Sequence, residues 1–275
     1  MSRFSTGQQY TVAPISRLRQ FRPCRHSRIE MPRIARVAIA GIPYHITQRG
    51  NARQIVFSDA QDYRVYLKLL RRFSDEHKLR IWAWCLMPNH VHLLAIPETP
   101  TTLACALGSA HREYSRYRNG RSASCGHLWQ ARFFSCPIED RGVWPVMAYI
   151  ERNPVRAGLA PAAESYPWSS ARCHTAAAGS DSWLGAAYWC NELSAANWRD
   201  VLRVGLDEAS LRDRLRDATD TGRPFGSEEF AEGLEQRANR TLRRRPVGRS
   251  STKLGTPYTA TPAEMGTPYT ATVIA

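Results

Sequence analysis

Two apolar runs, L-R-I-W-A-W-C-L-M at 79–87 and H-V-H-L-L-A-I at 90–96, are separated only by Pro88 and Asn89. Runs of this length and composition read as strands, and so short a break leaves room for little but a tight turn. The pair therefore predicts an antiparallel hairpin at the centre of a sheet. Within the second run, side chains at i and i+2 point to the same face, so His90 and His92 sit side by side while Val91 packs on the opposite face. Two such imidazoles can grip a metal if both are neutral, if their orientation is fixed and if at least one further ligand joins them.

The flanking segments extend this unit. I-P-Y-H-I-T at 42–47 alternates around β-formers and runs into the turn Arg49-Gly50-Asn51, and a second short strand is expected at 54–57. Ser58 and Gln61 form a capping box, after which Tyr63, Tyr66, Leu67, Leu70 and Phe73 recur at helical spacing, so a first helix is expected over 59–77. Leu103, Leu107, Ala110, Tyr114 and Tyr117 give a second helix over 101–118, ended by Asn119-Gly120. L-W-Q-A-R-F-F-S-C-P-I at 128–138 returns as a strand, and a third helix from Asp140 stops near Asn153-Pro154. The order strand, helix, strand, strand, helix, strand, helix favours an α+β fold, an antiparallel sheet with helices packed on one face.

Composition divides the chain around this core, which is expected over 31–178. Residues 1–30 carry Arg3, Arg17, Arg19, Arg22, Arg25 and Arg28 against the single acid Glu30. They read as a disordered basic arm, or as an upstream extension if translation starts at Met31. Over 179–245, Leu202, Leu206, Leu211 and Leu215 predict a short helical pair, and a helix through Phe230 and Leu234 leads to Arg240 and Arg243-Arg244-Arg245, making a helical C-terminal appendage with a basic end. The segment 246–275 repeats L-G-T-P-Y-T-A-T as M-G-T-P-Y-T-A-T, a Thr/Pro-rich unit that cannot bury a core and reads as a disordered tail.

A formal charge of +14 points to a polyanionic partner. Seven cysteines without a C-x-x-C pair argue for free thiols in a reducing cytoplasm. No stretch approaches the roughly 18 apolar residues of a membrane span, which predicts a cytoplasmic protein with no membrane contact; no feature implies a protein partner. The charge bears on the histidines, because the helix after their strand carries Tyr114 and Tyr117 among Arg112, Arg116 and Arg118. A phenol, with a pKa of about 10, is a poor nucleophile until a metal or cationic surroundings favour the phenolate, which could then attack phosphorus. The product would be a phosphotyrosine link and a free sugar hydroxyl. Such chemistry requires the tyrosine and the histidines to lie on one side of the sheet.

L-M-P-N-H-V-H-L-L at 86–94 resembles the histidine motif of the single-tyrosine HUH (IS200-like) transposases. M-P-R at 31, H-I-T-Q-R-G-N at 45, H-R-E-Y-S-R-Y-R-N at 111, G-H-L-W-Q-A-R-F at 126, Y-I-E-R-N-P-V-R-A-G-L at 149 and Y-P-W-S-S at 166 resemble, more closely, the REP-associated tyrosine transposases of bacteria. The similarity runs over 31–171, and T-G-R-P-F-G at 221–226 resembles the C-terminal extension of some members. The resemblance implies a ferredoxin-like sheet, a Mg²⁺ or Mn²⁺ cofactor, and cleavage and strand transfer of single-stranded DNA at hairpin-forming repeats through a 5′-phosphotyrosine. On this reading His90 and His92 match the metal histidines and Tyr114 the nucleophile, with Tyr117 in reserve.

The third ligand stays open at this level. In related enzymes a polar residue four places after the tyrosine helps hold the metal, and here that position is the cation Arg118. Asn119, one place later, and His111, one turn before Tyr114, are the candidates: a helix end can rotate Asn119 inward, whereas His111 has the better helical phase. Arg49, Asn51, Arg112, Arg116, Arg132, Asn153 and Arg156 are assigned to phosphates or base edges, and Trp129 to stacking on unpaired bases. Two alternatives accompany the transposase reading. One, prompted by Arg118, is a repeat-binding protein without cleavage activity; the other is a metal-dependent nuclease that uses water.

Overall fold

The computed structural model describes residues 38–122, 125–176, 194–205 and 208–243; the basic arm and the repeat tail lie outside them. Four strands, β1 (Tyr44–Arg49), β2 (Leu79–Met87), β3 (His90–Pro97) and β4 (Phe134–Pro137), form one sheet in the order β2-β3-β1-β4. Every neighbouring pair is antiparallel. Helices α1 (Ala60–Glu76) and α2 (Thr102–Arg121) are the crossovers, which gives the ferredoxin-like arrangement expected from the resemblance.

Helices cover both faces of this sheet. Tyr44 and Ile46 of β1, Trp84 and Leu86 of β2, and Val91, Leu93 and Ala95 of β3 pack with Tyr66 and Leu70 of α1 and Leu103, Leu107 and Tyr114 of α2. On the opposite face Cys85, Met87, Leu94, Ile96 and Cys136 meet Val146, Met147 and Ile150 of α3 (Val143–Glu151). The C-terminal appendage completes that second layer. Trp198 and Leu202 come from α6 (Ala195–Val204) and Leu215 from α7 (Glu208–Thr221), and all three are buried in the same cluster. Leu93 and Leu94, neighbours on opposite faces, are both fully buried, each contributing about 2 kcal/mol from apolar burial. A sheet buried on both faces needs apolar residues in both parities, which is why β3 reads as a continuous run and not as an alternation. A bulge at Trp82 turns Trp82 and Ala83 toward the same α3 side.

Several local expectations change. Residues 54–57 form no strand: Asn51–Arg53 is a single 3-10 turn, and the amides of Val56 and Phe57 both donate to the Pro88 carbonyl at 2.8 and 3.1 Å, docking the segment on the hairpin tip. Helix α1 is capped by Asp59, whose carboxylate accepts from the amides of Gln61 and Asp62, and not by Ser58. Helix α2 continues through Gly120 because Arg121 reaches back to Tyr117, Asp59 and the buried Asp62. The stretch 128–133 is a loop, held by the Gln130 amide donating to the Arg49 carbonyl at 2.9 Å, and only its continuation is β4.

Helix α3 ends at Glu151, and the short helix α4 (Asn153–Arg156) restarts at once with Pro154, which lacks the N–H an uninterrupted helix would use. Glu151 is itself fully buried. Its carboxylate accepts from Ser170 Oγ and from His174 Nδ1, both at 2.5 Å, and from Trp198 Nε1 at 2.8 Å. It thereby ties α3 to α5 (Ala171–Thr175) and α6. Further on, Ser227 caps α8 (Glu228–Ala238), whose Leu234 is buried with Ile39 and Leu242. Among the described residues no helix is long and apolar enough to cross a membrane.

Candidate active site

Parity along β3 carries His90 and His92 to the α3 face. Arg49 and Met87 flank His90 in register, and Thr47 and Cys85 flank His92. The two rings meet edge to face, with centroids 4.9 Å apart. His90 Nδ1 lies 2.7 Å from Asn89 Oδ1. A carboxamide oxygen only accepts, so the ring donates from Nδ1 and keeps its lone pair on Nε2. His92 Nδ1 lies 3.1 Å from Nε2 of His45, the next inward residue of β1, and these two rings stack at 5.3 Å. Burial holds the imidazole pKa of His45 and of His90 down at about 3, with Arg49 and Arg216 adding to the effect at His90. Burial, reinforced by His90 and His45, pushes His92 well below its ordinary value. All three rings are neutral at physiological pH, the state a metal ligand requires.

Tyr149 of α3 lies on this face, beside the histidines. Its ring stands edge-on to His92 at 5.8 Å and to His45 at 6.0 Å, and its hydroxyl makes no hydrogen bond among the described residues. The Arg156 guanidinium lies 4.2 Å from the ring centroid and donates to the Tyr149 carbonyl at 3.1 Å and to Asn153 Oδ1 at 2.8 Å. Asn153, one turn after Tyr149, donates from Nδ2 to the carbonyls of Tyr149 and Ile150, a back-bond that fixes its amide. Arg49 is half-buried on the histidine face, and exposed Arg216 of α7 lies near enough to act on both Arg49 and His90. Cations thus surround the histidines from three elements.

Tyr114 lies on the other side of the sheet. Its fully buried hydroxyl donates to the Val56 carbonyl at 2.6 Å, and burial, with Asp62 nearby, drives its pKa far above that of an ordinary phenol. A phenol held in that way is a core residue, the opposite of an activated nucleophile. Tyr117, the reserve candidate, donates to Asp62 at 3.2 Å on the same side. Neither proposed third ligand reaches the histidines. His111 is buried against the Tyr66 hydroxyl at 3.0 Å, and Asn119 donates to the Gly126 carbonyl at 3.0 Å. Arg118, which stood in the expected ligand position, binds the Val56 carbonyl, Asp62 and Ser58. The cause of all these corrections is one parity: α2 packs on Val91 and Leu93, not on His90 and His92.

The residues assigned to DNA divide in the same way. Arg49, Asn153 and Arg156 gather around the histidines and Tyr149, while Asn51 and Arg132 are exposed in loops. Arg112 and Arg116 are exposed on α2, beside Ser109 and Glu113, with the sheet between them and the histidines. Trp129 is buried and donates from Nε1 to the His111 carbonyl at 3.2 Å, so its ring is core and not a stacking platform. Sequence reasoning missed His45, Tyr149 and Arg216. For Tyr149 a signal existed: Y-I-E-R-N sets an amide four places after a tyrosine, the spacing that Tyr114 lacks.

Among the described residues no group of three or more His, Cys, Asp and Glu could hold a metal. The donors on this face are the imidazoles of His90, with its lone pair on Nε2, and of His92. This set fits a divalent cation that keeps most of its positions for water and substrate oxygens.

Residues 38–153 match the family described as "Transposase IS200 like". A protein of Haemophilus influenzae (strain Rd), provisionally named a REP-associated tyrosine transposase, is 27% identical over 111 residues. That match covers 36% of this chain and 63% of the relative, so the chain spans less than two thirds of the relative's length. Among solved structures, a REP-associated tyrosine transposase bound to a REP hairpin aligns with a TM-score of 0.42 at 22% identity, covering 51% of this chain and 82% of that one. A Deinococcus radiodurans R1 protein, provisionally called a transposase, aligns with a TM-score of 0.32 at 21% identity, covering 44% and 96%. His45, His90, His92, Tyr149 and Asn153 all fall inside the matched segment, whereas α7 lies beyond it. Residues 38–153 are thus the part of the chain that is similar to IS200-like transposases.

Proposed function

We propose that the protein cleaves and rejoins single-stranded DNA at hairpin-forming repeats, with Tyr149 as the nucleophile and His90 and His92 as ligands of Mg²⁺ or Mn²⁺. The observation that carries this is the edge-on packing of Tyr149 against His92 on the one sheet face that holds both histidines. With Tyr149 in that role, the amide four places on is Asn153, which becomes the third ligand, and the obstacle posed by Arg118 disappears. A divalent cation bound there would polarise the scissile phosphate and orient it for in-line attack.

The chain's own residues supply the rest. Tyr149 Oη forms a bond to phosphorus as the P–O3′ bond breaks, so the phosphate stays on the 5′ side as a phosphotyrosine. The phenolic proton passes to solvent, and the departing 3′ oxygen takes one up. Arg156, stacked on the Tyr149 ring, and Arg49, beside His90, hold non-bridging phosphate oxygens. The bond energy is kept in the link, so rejoining needs no energy-rich cofactor.

The test is incubation with single-stranded hairpin repeat DNA and Mn²⁺, followed by denaturation, proteolysis and mass mapping of any covalent adduct. The expected result is an adduct on the peptide that contains Tyr149. An adduct on another tyrosine overturns the assignment. Cleavage without an adduct would favour the water-using nuclease, and slowed mobility without cleavage the repeat-binding protein.

A further inference from the structure

The hydrogen bonds around His92 do not end at His45. His45 Nδ1 lies 2.7 Å from Thr219 Oγ1, a residue of α7 that is buried against the sheet. Thr219 Oγ1 also donates to the Leu215 carbonyl one turn back, at 2.7 Å. A hydroxyl has one proton. Because that proton is committed to Leu215, Oγ1 can only accept from His45, which fixes the His45 proton on Nδ1. The neutral His45 ring then offers Nε2 as an acceptor, and the one donor facing it is His92 Nδ1 at 3.1 Å. His92 is left with its lone pair on Nε2, the same tautomer that Asn89 imposes on His90 from outside.

The Cys136 thiol fits this direction. Its Sγ lies 3.3 Å from Thr219 Oγ1, and burial raises its pKa to about 12, so it remains a protonated donor to the second lone pair of that oxygen. The carbonyl of Leu215, the hydroxyl of Thr219 and the two imidazole rings of His45 and His92 thus form one ordered chain with a single consistent direction.

We propose that Thr219 and His45 are positioning residues that orient His92 for metal binding, so that helix α7, outside the matched transposase domain, is part of the active site. The inference rests on His92 being a metal ligand. Its physical basis is general: a ligating imidazole is aimed by what its other nitrogen holds, and loss of such a partner weakens metal affinity by about 10–100-fold. The relay also accounts for a buried threonine in a helix whose exposed face is charged.

Two variants of the full chain separate the hydrogen bond from packing. Thr219→Val keeps the shape and removes the acceptor, whereas Thr219→Ser keeps the hydroxyl. Ring nitrogen NMR of the metal-free protein reads the His92 tautomer, and titration with Mn²⁺ in the absence of DNA reads affinity. The expected result is Nδ1–H on His92 in wild type and Thr219→Ser, loss of that preference in Thr219→Val, and Mn²⁺ binding weakened at least tenfold in Thr219→Val only. Thr219→Val indistinguishable from wild type in both measurements would overturn the proposal, as would equal losses in Thr219→Val and Thr219→Ser, which would mean packing alone. Wild type that binds no Mn²⁺ would overturn the metal reading, and the proposal with it. That failure is distinct, because it shows in the unmutated protein.

Discussion

Substituting phenylalanine for each of two tyrosines should separate stability from chemistry. Tyr114→Phe removes a fully buried hydroxyl that donates to the Val56 carbonyl at 2.6 Å. A neutral hydrogen bond of this kind contributes about 1 kcal/mol net, and an orphaned buried carbonyl adds to the loss. Here the addition is small, because Arg118 Nε lies 3.3 Å from the same carbonyl and remains a donor. The expected cost is about 1–1.5 kcal/mol, a fall in melting temperature of roughly 3–5 °C for a body of this size. Tyr149→Phe removes a hydroxyl that holds no partner among the described residues, so its cost should stay within about 0.5 kcal/mol. The chemistry should run the other way, with the DNA adduct kept in Tyr114→Phe and absent in Tyr149→Phe. Thermal melts without DNA, which avoid stabilisation by the ligand, and a denaturing gel with DNA read the two effects separately. A Tyr149→Phe protein that still forms the adduct, beside a Tyr114→Phe protein that does not, would refute the assignment of faces.

Glu151→Leu should lower stability by about 3–5 kcal/mol, a large part of a typical total, because it removes at once the buried carboxylate that Ser170, His174 and Trp198 share; a melting shift under a few degrees would contradict that network. Burial raises the phenol pKa of Tyr44 and of Tyr63 from 10.0 to about 12. The unfolded chain loses these protons first, so both groups support the fold fully below pH 10.0 and withdraw that support as pH rises toward about 12. Phenolate absorbance should therefore rise together with alkaline unfolding and not before it. Among the described cysteines, Cys105 and Cys125 should react with a thiol reagent in the native protein, whereas Cys85 and Cys136 should react only on unfolding, as site-resolved mass spectrometry would report. Two imidazoles without a carboxylate suit Mn²⁺ better than Mg²⁺, so Mn²⁺ should support adduct formation at the lower concentration.

The sheet was largely legible because its signals are local. Length and β-forming composition mark β2 and β3, and helical spacing marks α1 and α2, whose ends shift by a few residues at most. The loop at 128–133 was not legible, since W-Q-A-R-F-F is strand-like in composition and only the backbone contacts to Arg49 and Asn51 show it to be a loop. The second helical layer was announced by β3 itself: a run with no polar parity beyond its histidines belongs to a sheet buried on both faces. The same property concealed the site. Two crossovers of one hand put α1 and α2 on a single face, but when Val91, Leu93 and Ala95 are as apolar as Leu94 and Ile96, nothing in the run says which parity that face takes.

That ambiguity explains why a tyrosine flanked by arginines, Tyr114, can lie on the sheet face away from the histidines. Arginines beside a phenol are compatible with two opposite environments, one in which they stabilise a phenolate and one in which they satisfy buried acceptors while the phenol packs. Arg118 and Arg121 do the second, neutralising Asp62 and covering the Val56 carbonyl around Tyr114. The distinguishing property is the hydroxyl's own partner. A phenol that already donates to a buried carbonyl would have to break that bond before it could attack anything, whereas the Tyr149 hydroxyl has no such bond to break among the described residues. Under the proposed assignment the spacing of a helical amide after the tyrosine is the better guide, because a tyrosine and an amide one turn apart share a helix face wherever that helix packs. Sharing a face with β3 is then a matter of which helix is third, and α3 is delivered to the histidine side by the Glu151 network and the C-terminal helices that close over it.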